Sequence, residues 1–266
     1  MPVPQVIKLP CSIWETGALM KVEELYQEII KQLKRRENRE AASKIVAKAK
    51  YFGVTIESYG LDKLEEKEIF ESYRESLKQS NLRGRLELVK RLYASGFAEE
   101  VNFGNTVLML SLDEITPAHY SLLDEIGSYL SHWGVTDWFC INILQPLLKQ
   151  YTEETLELLR KWNRAEHTWK QRASVVAFTR KVGQSGKFTD EVLELCESLI
   201  WSRDDYVRKG IGWALKDNMR GSKKKVLDYV KSLRERGVSS VITLYAIRDL
   251  KGRERKEVLG RKPKKR

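Results

Sequence analysis

Proline is nearly absent from the body of this 266-residue chain: between Cys11 and Lys262 there are only Pro117 and Pro146. A segment that poor in proline has little to interrupt long helices. Cysteine is equally scarce. Cys11, Cys140 and Cys196 stand far apart with no Cys-x-x-Cys pair, which argues against a disulfide framework and a zinc site and fits a reducing compartment. The three histidines, His119, His132 and His167, fall at no ligand spacing, so no metal and no other cofactor is expected. No stretch approaches the roughly 20 apolar residues that cross a bilayer. The opening "MPVPQVIKLPCSIW" lacks the basic and apolar regions of a secretory signal. These absences lead us to expect no membrane partner and a cytoplasmic location.

Positive charge is what the chain has in excess. Its formal net charge is +11, which favours a polyanionic partner, nucleic acid before membrane. The last 16 residues, "KGRERKEVLGRKPKKR", hold nine basic residues against two acidic ones, and without them the body keeps about +4. A basic tail of this kind adds phosphate affinity without sequence information. We therefore expect one domain over residues 1–250 and a basic C-terminal tail over 251–266.

Apolar residues recur at three- and four-residue spacing along most of the chain, the signature of amphipathic helices. "VEELYQEIIKQL" sets Val22, Leu25, Ile29 and Leu33 on one stripe. Gly53 and Gly96 sit where C-caps belong, and Thr116 with Pro117 reads as a helix start. Later helices are expected at about 136–150, 153–162, 168–182, 188–200, 204–217, 222–235 and 238–249, with Pro146 kinking one of them or loosening its ladder. No strand emerges. The pattern predicts an all-α fold, an α-solenoid of antiparallel helix pairs whose concave basic face suits a duplex, with a globular helical bundle as the alternative.

Three stretches mix aromatic and charged residues where plain packing would use leucine and isoleucine. In "HWGVTDWFCINILQPLL", Thr136 reads as an N-cap, which places Asp137 in the first turn. If the preceding turn is also helical, Trp133 and Asp137 share a face at i, i+4. An Asp capping a helix beside core tryptophans fits the same stretch. In "HTWKQRASVVAFTR", Thr168 can cap and Trp169 and Arg172 lie on adjacent rows. Arg172 could stack on an aromatic or reach a phosphate, or simply cover Trp169. In "SRDDYVRKGIGWALKDNM", Asp204 or Asp205 begins a helix. Gly210 and Gly212 each cost about 1 kcal/mol of helix propensity relative to Ala, which suggests a close approach by another helix or a ligand. Trp213 follows, and burial against a neighbouring helix would also explain it.

Taken as an ordered set, Trp133-x-x-x-Asp137, Trp169-x-x-Arg172 and "VRKGIGWALKD" with Trp213 resemble the DNA alkylation repair glycosylases of the AlkD-like family, HEAT-like helical-repeat proteins. The resemblance spans roughly residues 20–250 and is strongest over 130–217. It implies a monofunctional hydrolase, acting as a nucleoid-associated monomer, that removes cationic N3- or N7-alkylated purines from double-stranded DNA. Carried over by residue, it makes Asp137 the catalytic carboxylate. Trp133 and Trp213 would line the cleft beside the deoxyribose, and Arg172, with Trp169 beside it, would contact the adjacent backbone. Some members carry an acidic residue directly after the first Trp, where this chain has Gly134, a departure that bears on substrate range. The chemistry agrees: an alkylated purine is neutralised as it leaves, so one carboxylate that stabilises an oxocarbenium sugar and positions water suffices. The alternatives are a noncatalytic α-solenoid scaffold for DNA or protein, and an RNA-binding helical protein suggested by charge alone.

Overall fold

The apolar stripe of the first helix shows how the periodicity is realised. In a computed structural model that describes residues 18–261, α1 runs Ala18–Arg35, and Val22, Leu25, Ile29 and Leu33 are all buried along it. It is followed by α2 (Arg39–Tyr51), α3 (Lys63–Gln79), α4 (Leu82–Ala94) and α5 (Ala98–Ser111). Two 3-10 turns, Leu112–Glu114 and Pro117–His119, lead into α6 (Tyr120–Gly127). Thr116 and Pro117 thus open a 3-10 turn ahead of the helix they were expected to start. Gly53 and Gly96 adopt φ of +71° and +80° just past α2 and α4, the left-handed C-cap geometry their positions suggested. The chain divides into two compact units between His132 and Trp133.

In the first unit α1 packs on α3 and α4, α5 on α3 and α4, and α6 on α4. Two buried carboxylates tie a loop to this bundle. Glu99 accepts from the backbone N–H groups of Tyr59, Gly60 and Leu61 at 3.0, 3.0 and 3.3 Å. Glu100 accepts from the hydroxyls of Tyr59 at 2.7 Å and Tyr26 at 3.0 Å. Burial first, then the neighbouring Glu100, pushes the Tyr26 phenol up to about 12. Arg85, buried in α4, donates to the carbonyls of Leu77 at 3.1 Å and Ser80 at 2.9 Å, closing the negative end of α3 with a cation.

The second unit holds α7 (Trp133–Phe139), a π-helical segment over Cys140–Leu144, α8 (Gln145–Gln150), α9 (Thr152–Asn163), α10 (Thr168–Val176) and α11 (Arg180–Gln184). Then come α12 (Thr189–Leu199), α13 (Asp205–Gly221), α14 (Lys223–Glu235), α15 (Ser240–Ala246) and α16 (Gly252–Gly260). α13 is the hub, packing on α10, α11, α12, α14 and α15. In both units helices pack mainly on near neighbours in the chain, as stacked helix pairs require. The fold is all-α. Among the described residues the sole β feature is an isolated Glu57–Phe97 bridge.

Two local expectations are corrected and one is met. The helix expected from residue 136 starts at Trp133, so Thr136 lies inside it and is no N-cap. Pro146 loosens the ladder, as one of the two expectations for it held: a π-helical segment precedes it, and the wider π turn accommodates both the proline ring and the lost N–H. The helix expected over 168–182 is two helices. Side chains from elsewhere take up the backbone groups of the break: Asn218 donates to the Phe178 carbonyl at 2.9 Å and Gln145 to that of Thr179 at 3.0 Å. The stretch 251–266, set apart as a tail, contains α16, whose Val258 is fully buried. Cys11 and the opening segment lie outside the described residues. No described helix is long and apolar enough to cross a membrane.

Candidate functional site

Asp137 and Arg172, 35 residues apart, meet face to face. Arg172 Nε donates to Asp137 Oδ1 at 2.8 Å and Nη2 to Oδ2 at 2.9 Å, a bidentate pair. Both side chains are largely withdrawn from solvent, 7% exposed for Arg172 and 15% for Asp137. Arg172 Nη1 donates to the Tyr206 carbonyl at 2.6 Å, so the guanidinium also bridges to the first turn of α13. Planar fork-to-carboxylate pairing fixes orientation as well as charge.

The supporting elements explain why the pair forms. α10 is capped by His167, whose Nδ1 accepts from the Lys170 N–H at 3.3 Å, and not by Thr168 as the sequence suggested. Thr168 instead donates its hydroxyl to Asp204 at 3.4 Å. Asp204 caps α13 by accepting from Tyr206 N at 2.8 Å and Val207 N at 3.1 Å. One carboxylate therefore joins the starts of α10 and α13. Gly210 lets the helices close up: a Cβ there would stand 3.3 Å from Arg172 Cγ and 3.4 Å from Nη1. The second glycine has a different neighbour, since a Cβ at Gly212 would fall 2.6 Å from Tyr245 Cβ on α15. Both glycines mark a close approach by protein, as one of the two sequence readings held.

Trp133 lies one turn before Asp137 on α7 and is 40% exposed, an unusual position for a tryptophan that serves only the core. Trp213 lies one turn beyond Gly210 and is partly exposed, with the Arg180 guanidinium over its ring at 6.0 Å. Trp169 packs on Tyr206, ring centroids 5.0 Å apart, and Lys209 stands over the other ring of that pair at 5.6 Å. Arg172 thus joins Asp137 to Tyr206, on which Trp169 packs, and Trp213 lies two turns beyond Tyr206 on α13. Among the described residues no ring pair joins Trp133, Trp169 and Trp213 to one another.

Cys140 follows Asp137 by one turn, fully buried, with its thiol directed to the Ala173 carbonyl at 3.6 Å. Burial, then the nearby Asp137 charge, pushes this thiol well above the usual range, which leaves it a protonated packing group and no nucleophile. Among the described residues no cluster of His, Cys, Asp and Glu is placed to hold a metal ion. The sequence placed Tyr206 only on a turn neighbouring Gly210 and Trp213, with no contact assigned to it, and did not single out Lys209 or Arg180. The first offers a backbone carbonyl, which no side-chain pattern reveals, and the last is defined by a backbone angle.

What this arrangement offers is a carboxylate clamped by Arg172 one helical turn from the exposed Trp133 indole, with Trp213 partly exposed on α13. The DNA alkylation repair enzyme family matches residues 29–250. A solved structure, a predicted DNA alkylation repair enzyme from Enterococcus faecalis, superposes with a TM-score of 0.64 at 14% identity, covering 81% of this chain and 97% of that one. At that identity the likeness shows the fold. Comparison with curated proteins gives no match. With the family match running through both units and across every residue of the site, the chain belongs to the DNA alkylation repair enzyme family.

Proposed function

We propose that the protein is a monofunctional DNA glycosylase that hydrolyses the N-glycosidic bond of cationic N3- and N7-alkylated purines in duplex DNA. The observation that carries this reading is the Asp137 carboxylate, clamped by Arg172 one helical turn from the exposed Trp133 indole. Each oxygen of Asp137 accepts one hydrogen bond from Arg172 and keeps lone-pair capacity for a water or a sugar. As the C1′–N bond breaks, its electron pair goes to the purine and neutralises the cationic ring. C1′ becomes oxocarbenium-like, stabilised by the carboxylate. Water attacks C1′ and gives its proton to Asp137. Trp133 and Trp213 present the negative faces of their rings to the same cationic centre.

Arg172 has two roles in this reading. It orients Asp137, and two of its five N–H groups remain for a backbone phosphate once three are engaged within the protein. Trp169 supports it through Tyr206. No evident general acid adjoins the carboxylate in sequence: a guanidinium does not release its proton, Nδ1 of His167 is already an acceptor for the helix cap, and His132 is the residue that an acid-dependent rate would implicate. Charge on the leaving base must therefore supply what an acid would. The protein acts as a monomer on double-stranded DNA and needs no cofactor.

The test is single-turnover release of 7-methylguanine and of hypoxanthine from matched duplexes across about pH 5.5 to 8.5. Release of 7-methylguanine is expected, with hypoxanthine slower by at least about a hundredfold, or roughly 2.7 kcal/mol of barrier. Comparable rates for the two bases contradict charge-driven release. A hypoxanthine rate that climbs steeply below pH 7 would reveal a general acid. Duplex binding with release of neither base favours the noncatalytic scaffold.

A further inference from the structure

Arg180 opens α11 with φ +54°, and among the described residues it is the one non-glycine residue in the left-handed region. Glycine or asparagine fits that region; a long side chain is disfavoured there. Such conformations persist where the surroundings over-determine them, and they gather at functional sites. Here the surroundings do so. Asp217, 2% exposed, accepts from the Arg180 N–H at 2.6 Å, and its other oxygen takes Lys216 Nζ at 2.9 Å. Gln145 and Asn218 hold the two preceding carbonyls, those of Thr179 and Phe178. Gly183, one turn on, lets α11 approach closely: a Cβ there would stand 2.9 Å from Asn218 Nδ2 and 2.4 Å from the Phe178 carbonyl.

All of this anchoring acts on the backbone. The guanidinium is left exposed, lying over the Trp213 ring at 6.0 Å, and among the described residues it joins no ion pair. Arg85, by contrast, is buried on acceptors within the protein, and Arg172 has three of its five N–H groups so engaged. A fixed backbone, an aromatic seat and an open fork of N–H donors are what bidentate phosphate recognition uses.

We propose that Arg180 binds a backbone phosphate of the DNA strand, holding it against the Trp213 side of the site. This rests on the reading of Trp133, Asp137, Arg172 and Trp213 as the DNA-facing site. It adds a positioning contact that acts on affinity and strand register through Trp213, separate from the Asp137 chemistry.

The test compares wild type with Arg180→Gly and Arg180→Lys in the full chain. Three readouts are taken: thermal midpoint, affinity for an undamaged duplex by fluorescence anisotropy over about 50 to 200 mM salt, and release of 7-methylguanine. Glycine suits the left-handed backbone, so Arg180→Gly is expected to keep or raise the midpoint. Its duplex affinity should fall about tenfold, with the log–log salt slope shallower by about 0.9, the value of one phosphate contact. Arg180→Lys should restore the slope but only part of the affinity. Unchanged affinity and slope in Arg180→Gly overturn the proposal, as does a lowered midpoint with a binding loss that lysine leaves unrepaired. A wild-type protein that binds duplex but releases no alkylpurine defeats the glycosylase reading and leaves the phosphate contact to be decided by the binding data. A wild-type protein that binds no duplex overturns both.

Discussion

Arg172 shows what single residues disclosed in the sequence and what they withheld. Its type and its place beside Trp169 marked it as a candidate, but its partner lies 35 positions away on another helix. Local spacing cannot report such a pairing, because tertiary packing creates it. Asp137 was legible for the same reason and misplaced for another: Thr136 resembles a cap, yet the helix begins at Trp133 and sets both Trp133 and Asp137 on one face. The geometry of the pair has a consequence for conservative substitution. Lysine carries the same charge as a point and cannot face both carboxylate oxygens while also reaching the Tyr206 carbonyl. Arg172→Lys is expected to lower stability by about 1–3 kcal/mol, since a buried acceptor loses its donor. It should slow base release by at least about tenfold. Thermal unfolding and single-turnover release check this together, and a variant equal to wild type in both would remove any role for the bidentate contact.

At the scale of helices, apolar periodicity made the class readable because burial of one face is what holds most of these helices in place. Boundaries and interruptions were less readable. The π segment at Cys140–Leu144 precedes Pro146, and the break after Val176 depends on side chains from other helices that satisfy displaced backbone groups. The glycines of α13 were legible as close approaches, but not by what. Gly212→Ala would place a Cβ 2.6 Å from Tyr245 Cβ and 3.0 Å from the Ile242 carbonyl. That overpacking, about 1–3 kcal/mol, outweighs a helix-propensity gain of about 1 kcal/mol, so the variant should melt earlier. At Gly210 the nearest atom is Arg172 Cγ, 3.3 Å from a built Cβ, and a side chain can shift by a few tenths of an ångström. Gly210→Ala is therefore expected to stay within about 1 kcal/mol of wild type while displacing Arg172 and slowing release. Equal melting shifts for the two variants, or a Gly210→Ala enzyme with unaltered release, would contradict this assignment.

The whole molecule combines a basic charge of +11 with a helical scaffold that gathers the site residues into its second unit. Part of the basic stretch at the C-terminal end is built into that scaffold. Lys231 pairs with Glu257 at 3.0 Å and Arg261 with Glu235 at 2.7 Å, so residues counted as a tail also hold α16 against α14. Net charge was legible from composition, and so was its meaning for a polyanionic partner. The division at His132 and Trp133 was not, since it follows a short turn over residues 128–132 that joins α6 to α7 and has no linker composition. The central claim is that Asp137 performs chemistry as well as pairing with Arg172. It is tested most directly by single-turnover release of 7-methylguanine from duplex DNA by Asp137→Asn, at saturating enzyme and at a temperature where circular dichroism shows the variant folded. Release at least about a thousandfold slower than wild type, roughly 4 kcal/mol of transition-state stabilisation, with duplex affinity within a few-fold, is the expected result; release within about tenfold of wild type would contradict it.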